Sequence, residues 1–404
     1  MKCGLLGRKL SHSYSPAIHA LLGDYEYALY EKEPEELEYF LHNCDWDGIN
    51  VTIPYKQTVI QYLDSVTPIA KEVGAVNTII RRDGKLIGDN TDYWGFLSML
   101  AKSGLSPTGK KCLVLGSGGA SKVVQAVLQS KGAHVVVISR SGENHYENLS
   151  RHADASILIN TTPVGMYPNN GISLVNLDLF PQLEGVLDLI YNPARTQLLL
   201  DAETRGIVTM NGLWMLISQA MYAVLHIQGT LPSKASIEDI YPILKHQMEN
   251  IILIGMPGCG KSTIGQALAQ QLDKNFVDSD VLVEEMAQKS IPRIFAEDGE
   301  AAFRHWETMA LTELGKRSGT VIATGGGCVT QKRNYAPLHQ NGSIFYLQRD
   351  LDQLATHGRP LSQSRSLASI FEERAAEYSQ FADHIINNNG TLQDAVNAIM
   401  EVLK

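Results

Sequence analysis

Apolar runs rich in Val, Ile and Leu recur along the chain, and at several places a glycine-rich turn follows them. Residues 110–115 form such a run. Gly116-Ser117-Gly118-Gly119-Ala120 follows, then a helical pattern over 121–130, then a second apolar run over 133–138. Strands of a parallel sheet are covered on both faces and so read as unbroken apolar runs. Strand, glycine turn, helix, strand is the order of a nucleotide-binding βαβ unit. Runs at 155–159, 185–189 and 207–208 supply a third, fourth and fifth strand. Upstream, residues 1–95 alternate short strands and helices, with a helix over 34–44 and a strand over 48–54 ending at Pro54. A long helical pattern over 210–228 packs back on that first part. Residues 229–249 are part linker, part helix. A new α/β pattern starts at Asn250, with a strand at 251–254, a glycine loop at 255–260 and a helix at 261–272. Strands at 320–323 and 343–347 and helices at 366–379 and 391–403 complete it.

The 404 residues suggest two or three domains at roughly 150 residues each. Charge excludes some partners. The chain carries 34 basic and 43 acidic residues, net −9; residues 1–249 hold 20 and 25, which leaves 14 and 18 beyond them. Neither part offers the basic surface that nucleic acid or an anionic membrane needs, and no apolar stretch reaches the ~18 residues of a membrane span. Five cysteines, at 3, 44, 112, 259 and 328, form no CxxC, so neither a zinc site nor a disulfide framework is expected. The first residues open as a strand rather than a secretory leader. A cytoplasmic protein with small-molecule partners, and no obligate protein partner, is the expectation.

The sharpest chemistry lies in the later part. Gly255-Met256-Pro257-Gly258-Cys259-Gly260-Lys261-Ser262 fits GxxxxGK[ST] between a strand and a helix. Its amides wrap phosphate, Lys261 reaches the β and γ phosphates, and the Ser262 hydroxyl ligates Mg²⁺. Asp278 and Asp280 stand at i and i+2, on one side of an extended segment: one carboxylate for the metal, one to grip a hydroxyl. Arg304 and Glu307 share a helical face. Gly325-Gly326-Gly327 closes a strand and lets a small ligand approach backbone closely. Arg359 and Arg374 are candidate phosphate and carboxylate clamps.

These strings, with Ile291-Pro292, Phe303-Arg304, Arg359-Pro360-Leu361 and Tyr378, resemble shikimate kinase over residues 250–404. The resemblance implies that Gly258, Cys259, Gly260, Lys261, Ser262, Thr263 and Arg359 bind ATP and that Ser262 and Asp278 hold Mg²⁺. It implies that Asp280, Arg304, Gly325, Gly326, Gly327 and Arg374 hold shikimate, with Asp280, Lys261 and Arg359 catalytic. The family lid before Arg-Pro-Leu is usually longer; here it is shortened.

In the earlier part, Gly116-Ser117-Gly118-Gly119-Ala120 departs from GxGxxG, but its context is that of a dinucleotide turn. Ser139-Arg140-Ser141 follows the next strand. A basic residue there, in place of an acid gripping a ribose diol, suits a 2′-phosphate and favours NADP(H) over NAD. Lys56 and Asp92 offer a proton donor and the carboxylate to hold it, for a reaction that builds negative charge on a carbonyl oxygen.

Residues 1–229 resemble shikimate dehydrogenase. The resemblance rests on Ser13-Tyr14-Ser15-Pro16, Asn50-Val51-Thr52-Ile53-Pro54 with Lys56, Gly74-Ala75-Val76-Asn77-Thr78, Asn90-Thr91-Asp92, Asn160-Thr161-Thr162-Pro163, and Gly212 with Met215 and Gln219. It implies that Lys56 and Asp92 are catalytic and that Ser13, Ser15, Thr52, Asn77, Asp92, Tyr191 and Gln219 bind substrate. It also implies that Gly116, Gly118, Gly119, Ala120, Arg140 and Met215 bind NADP. The short spacing from Ser141 to Asn160 makes the cofactor domain compact, and His12 and His19 read as local hydrogen-bonding residues.

The expected architecture is α/β throughout. A dehydrogenase substrate domain (1–95, completed by a helix over 210–229) and a Rossmann-like NADP domain (96–209) come first. A connector (230–249) leads to a P-loop kinase domain with a central parallel sheet (250–404). The expected function is bifunctional: NADPH-dependent reduction of 3-dehydroshikimate to shikimate, then Mg-ATP-dependent phosphorylation of shikimate. Two rivals remain: a dehydrogenase whose kinase-like part only senses nucleotide, and a quinate-preferring NAD-linked dehydrogenase.

Overall fold

Among the described residues the strands gather into three sheets, of six, five and five strands. A computed structural model describes residues 1–10, 13–232, 234–354 and 366–403. Two compact units result. The first comprises Met1–Gly165, Ile172–Tyr191 and Leu198–Leu244; the second comprises Met166–Gly171, Asn192–Gln197 and Lys245–Lys404.

The first unit opens with β1 (Lys2–Gly7), α1 (Ser15–Leu22), β2 (Glu26–Glu31), α2 (Leu37–Asn43) and β3 (Gly48–Val51). Then come β4 (Ser65–Val66), α3 (Pro68–Val73), β5 (Thr78–Arg82) and β6 (Lys85–Asp89). The sheet order is β2-β1-β3-β5-β6-β4, with β5 antiparallel to both neighbours. Asp83 and Gly84 turn the β5–β6 hairpin at φ 51° and 74°, the left-handed pair that a two-residue hairpin turn requires. The helix expected over 34–44 is a 3₁₀ turn, Pro34–Glu36, running into α2.

The second sheet of this unit is wholly parallel. Its elements are α4 (Asp92–Ser103), β7 (Lys111–Leu115), α5 (Gly119–Ser130), β8 (His134–Ile138), β9 (Ile157–Asn160), β10 (Gly185–Asp188), α6 (Gln197–Glu203), β11 (Val208–Met210) and α7 (Leu213–Gln228). The order is β11-β10-β9-β7-β8. Alternation along β7 feeds two cores: Cys112 and Val114 pack toward α4, α5 and Trp214, while Leu113 and Leu115 pack toward Leu198 and Leu199. Successive side chains of a strand point to opposite faces, so a continuous apolar run serves both. One 3₁₀ segment, Tyr146–His152, lies between β8 and β9. The helix expected from 210 starts at Leu213, because residues 208–210 pair with β10 as an edge strand. In the segment read as a connector, α8 (Ile237–Met248) lays Ile237 and Tyr241 against the core that holds Trp214.

The second unit contains β12 (Asn250–Ile254), α9 (Lys261–Leu272), β13 (Asn275–Asp278), α10 (Ser279–Ala287), α11 (Ile291–Glu297), α12 (Gly299–Gly315), β14 (Thr320–Ala323), β15 (Gly342–Gln348) and β16 (His384–Asn387). All strands are parallel, in the order β13-β14-β12-β15-β16. The carboxyl ends of the adjacent strands β13, β14 and β12 therefore lie together, where open α/β sheets bind ligands. No helix among the described residues is long and apolar enough to cross a membrane.

Candidate active sites

The first unit holds a cleft of about 700 Å³. Lys56 follows β3 and Asp92 opens α4; the Lys56 Nζ donates to Asp92 Oδ2 at 2.7 Å, with both side chains partly exposed. A helix N-terminus is where a carboxylate is best accommodated. Ser13, Ser15, Thr52, Asn77, Tyr191 and Gln219 all line this cleft, with Ala120 and Met215. Asn77 is held rigidly: its Oδ1 accepts from the Thr91 amide at 2.7 Å and from the Thr78 hydroxyl at 3.1 Å, which leaves its NH₂ for a ligand. Gln219 donates to Leu216 O at 2.8 Å, which leaves its carbonyl oxygen for a donor. Burial and the nearby Tyr14 raise the Tyr191 phenol above its usual value. Lys9 and Asn50 line the cleft too. Asn50 belongs to the Asn50–Pro54 string, whereas Lys9 carries no sequence signal.

The helix that completes the cleft is tightly constrained. A Cβ on Gly212 would lie 2.0 Å from the Leu189 carbonyl oxygen, and one on Gly95 would lie 2.9 Å from Met215 O. These glycines let α7 close on the 189–191 segment and on α4. His19 lies away from the cleft lining; it is stacked on Tyr27 and bonded through Nδ1 to the Tyr25 hydroxyl at 2.6 Å. Burial pushes its imidazole down to about 3, so it is a neutral structural residue. His12 lies outside the described residues.

The glycine turn joins β7 to α5. Gly116 has φ 105°, and a Cβ there would press on Thr161 and Thr162. Its amide donates to Ile138 O at 2.8 Å, so the turn is tied to the end of β8, two residues before the exposed Arg140. Nothing lies within 4 Å of a Cβ built on Gly118 or Gly119, which leaves room over the first turn of α5 for a phosphate. Of the residues predicted for the cofactor, Ala120 and Met215 reach the substrate cleft, while Gly116, Gly118, Gly119 and Arg140 do not line it.

The second unit holds a cleft of about 520 Å³. Its wall joins Gly258, Gly260, Lys261, Ser262 and Thr263 to Asp278, Asp280, Arg304, Gly325, Gly326, Gly327 and Arg374. Lys261 folds back on its loop, donating to Gly255 O at 2.9 Å and Met256 O at 3.1 Å. The Ser262 hydroxyl donates to Asp278 Oδ2 at 2.5 Å. Cys259 is fully buried and does not line the cleft. Arg359 lies outside the described residues, as do residues 355–358 of the segment expected to form a shortened lid.

One local expectation is corrected. The segment 278–280 is not extended throughout: Asp278 ends β13 and caps α10, its Oδ1 accepting from the Asp280 amide at 3.0 Å. Asp is a strong N-cap because it satisfies a free helix amide, and this cap outcompetes strand continuation. The two carboxylates still meet at one cleft. Burial and then the neighbouring Asp278 charge push Asp280 up to about 6. Arg304 donates to Glu307 at 2.8 Å and Glu300 at 3.0 Å, while Arg374 and Tyr378 both donate to Gly326 O. Glu307, fully buried on the cleft wall, was absent from the predicted ligand set; its i+3 spacing from Arg304 was the signal. Glu284, Ile291, Pro292, Phe295 and Phe303 add a largely apolar wall.

Family models match both parts: shikimate dehydrogenase substrate binding domain over residues 5–79, and shikimate kinase over residues 257–404. The shikimate dehydrogenase (NADP(+)) of Clostridium perfringens is 37% identical over 264 residues, covering 60% of this chain and 97% of that protein. The crystal structure of shikimate dehydrogenase 1 from Peptoclostridium difficile is similar at 38% identity and TM-score 0.55, over 61% of this chain and 98% of that one. Shikimate 5-dehydrogenase from Thermus thermophilus, solved in complex with NADP(H) and shikimate, is similar at 31% identity and TM-score 0.54, over 60% and 98%.

Proposed function

The chain belongs to the shikimate dehydrogenase family and carries a shikimate kinase family segment over residues 257–404, and from that premise we propose a bifunctional enzyme. Its first unit reduces 3-dehydroshikimate to shikimate with NADPH; its second phosphorylates shikimate from ATP. The observation that carries the reading is double. Lys56 and Asp92 are paired in a cleft with the six other predicted substrate residues, and Lys261, Asp280, Arg304 and Arg374 line a separate one.

In the dehydrogenase, Ser13, Ser15, Thr52, Asn77 and Gln219 hold the substrate's hydroxyls and carboxylate. NADPH, when bound, supplies the hydride. Lys56 stabilises and protonates the oxygen as charge grows on it, and Asp92 orients Lys56. The open turn over Gly118 and Gly119 suits a pyrophosphate at a helix N-terminus. Gly116 and Ala120 shape that turn, Arg140 meets the 2′-phosphate, and Met215 packs beside the nicotinamide. A guanidinium in that place disfavours the NAD-linked rival.

In the kinase, Gly258, Cys259, Gly260, Lys261, Ser262 and Thr263 cradle ATP, Cys259 through its backbone. Ser262 and Asp278 fit Mg²⁺, being adjacent hard oxygen donors, and the ion when bound neutralises phosphate charge. Asp280 takes the proton of the attacking hydroxyl. Arg304, Arg374 and Gly325–Gly327 hold the acceptor; Arg359 is assigned to the phosphates on resemblance alone. A merely nucleotide-sensing module would have no use for the acceptor-side set Asp280, Arg304 and Arg374.

The test is product identification from the full chain with 3-dehydroshikimate, NADPH, ATP and Mg²⁺. Shikimate 3-phosphate is expected, with accumulation stopping at shikimate when ATP is omitted. Shikimate as the end product with all components present would leave only the dehydrogenase; no NADPH oxidation would remove the first activity.

A further inference from the structure

The dehydrogenase cleft has an unbalanced charge. Its lining contains three charged residues, Lys9, Lys56 and Asp92. Lys56 and Asp92 neutralise each other at 2.7 Å. Lys9 makes no ion pair among the described residues; of the two acids at and just after the end of the neighbouring strand β2, Glu33 pairs with Arg8 at 2.9 Å and Glu31 accepts from the Leu10 amide at 2.7 Å. Lys9 is exposed, yet its backbone is anchored on both sides. The Lys32 amide donates to Gly7 O at 3.1 Å, and the buried Leu10 accepts from the Ser13 amide at 3.1 Å. Ser13 and Ser15 leave the same loop, the Ser15 amide donating to Ser13 Oγ at 3.2 Å.

Serine hydroxyls can hydrogen-bond a carboxylate but cannot neutralise it, and an anion taken from water into a half-enclosed cleft needs a counter-charge. We propose that Lys9 is a substrate-binding residue of the dehydrogenase, its ammonium neutralising the substrate carboxylate at the Ser13–Ser15 end of the cleft. Lys56 then serves the proton transfer and Lys9 serves recognition of an anionic polyol. The proposal rests on the dehydrogenase reading above and deepens it: the cleft selects hydroxy-acids over neutral polyols of the same shape.

The test follows shikimate oxidation by NADP⁺ in the full chain, with shikimate methyl ester as the uncharged twin. Lys9→Met is expected to raise KM for shikimate by about 5- to 10-fold, the scale of one partly exposed charge-assisted contact, with kcat within about twofold. Lys9→Arg restores KM, and Lys9→Glu raises it further. The wild-type advantage shrinks as ionic strength rises. For the methyl ester, wild type and Lys9→Met have equal kcat/KM, and Arg8→Met leaves shikimate kinetics within about twofold. Unchanged shikimate KM in Lys9→Met overturns the proposal, as does an equal loss on the ester or in Arg8→Met. Wild-type protein that fails to oxidise shikimate at all would instead refute the dehydrogenase reading, which separates the two failures.

Discussion

Asp280 and Glu307 each turn one carboxylate oxygen to the same glycine: a Cβ on Gly325 would lie 2.7 Å from Asp280 Oδ1 and 2.9 Å from Glu307 Oε1. Both oxygens are buried and hold no hydrogen-bond partner among the described residues. Burial raises both groups, Asp280 to about 6 and Glu307 to about 7, with Asp280 adding to the rise at Glu307 and Arg304 opposing it. Folded values above the free carboxyl range mean that the folded state binds the extra protons. The associated stability is therefore fully present below the unfolded value near 4 and is lost as pH rises through 6 to 7. In the proposed reaction catalysis has the opposite sign, because Asp280 must be ionised to accept a proton. Kinase kcat/KM is expected to fall about tenfold per unit below pH ~6, the limb belonging to the coupled pair. A profile measured from pH 5 to 9 checks this, and a flat line down to pH 5 contradicts it.

Glu307 also bears on stability. It is fully buried against Arg304, itself 6% exposed. Removing one partner of a buried pair costs about 3–5 kcal/mol, but Glu300 keeps a 3.0 Å contact to the same guanidinium, so the lower end applies. Glu307→Ala should lower the urea stability of the kinase activity by about 3 kcal/mol and raise KM for shikimate. Dehydrogenase kinetics in the same protein should not move.

How much of this could be read beforehand depended on how local the cause was. The glycine loop at 255–262 and the turn at 116–120 were legible because the strand, turn and helix that define them are contiguous. The β5–β6 hairpin carried a local signal in Asp83-Gly84, yet its strands, with Arg81, Arg82 and Lys85 at the tip, lack a long apolar alternation. β2 and β16 are edge strands with mixed burial, so no continuous apolar run marks them. The Asp278 cap was misread as extended chain because Asp serves both patterns and the choice lies in α10 packing Val283 into its own small core. Lys9 stayed invisible because a single exposed lysine gains meaning only from what it faces.

Arg140 follows β8 and is exposed; the proposed function assigns it to the 2′-phosphate. Arginine recognises phosphate through a planar fork that a neutral side chain cannot replace. Arg140→Met should reduce kcat/KM with NADP⁺ by about 10- to 100-fold and leave NAD⁺ turnover nearly unchanged. Parallel losses with both cofactors would assign Arg140 a structural role instead.

Lys56→Met should reduce dehydrogenase kcat by at least ~100-fold, the usual scale for a proton-transfer group, and leave kinase turnover intact. Asp92→Asn should follow in the same direction with a smaller loss, since it frees Lys56 without removing it. Near-normal reduction in Lys56→Met, with the fold verified by kinase activity, would take the proton role away from Lys56.

Gly118 and Gly212 contrast a glycine whose Cβ would meet open space with one whose Cβ would meet backbone. At Gly212 a Cβ would sit 2.0 Å from Leu189 O and 2.6 Å from Leu189 C. Those are backbone atoms, so a rotamer change cannot relieve the clash; α7 or the 189–191 segment must move. Met215, Leu216 and Gln219 on α7, and Tyr191 on that segment, all line the substrate cleft. Gly212→Ala should therefore cost about 1–3 kcal/mol of stability by overpacking and lower kcat/KM for shikimate by at least ~10-fold, because displacements of about 1 Å can cost 10²-fold. At Gly118 a Cβ meets nothing within 4 Å and φ is −78°, so alanine fits the protein itself. Gly118→Ala should leave stability and shikimate KM unchanged while raising KM for NADP⁺, since the proposed function puts the pyrophosphate in that open space. Steady-state kinetics in both substrates, with thermal denaturation, check the pair. An unchanged NADP⁺ KM in Gly118→Ala would move the pyrophosphate off this turn, whatever Gly212→Ala does.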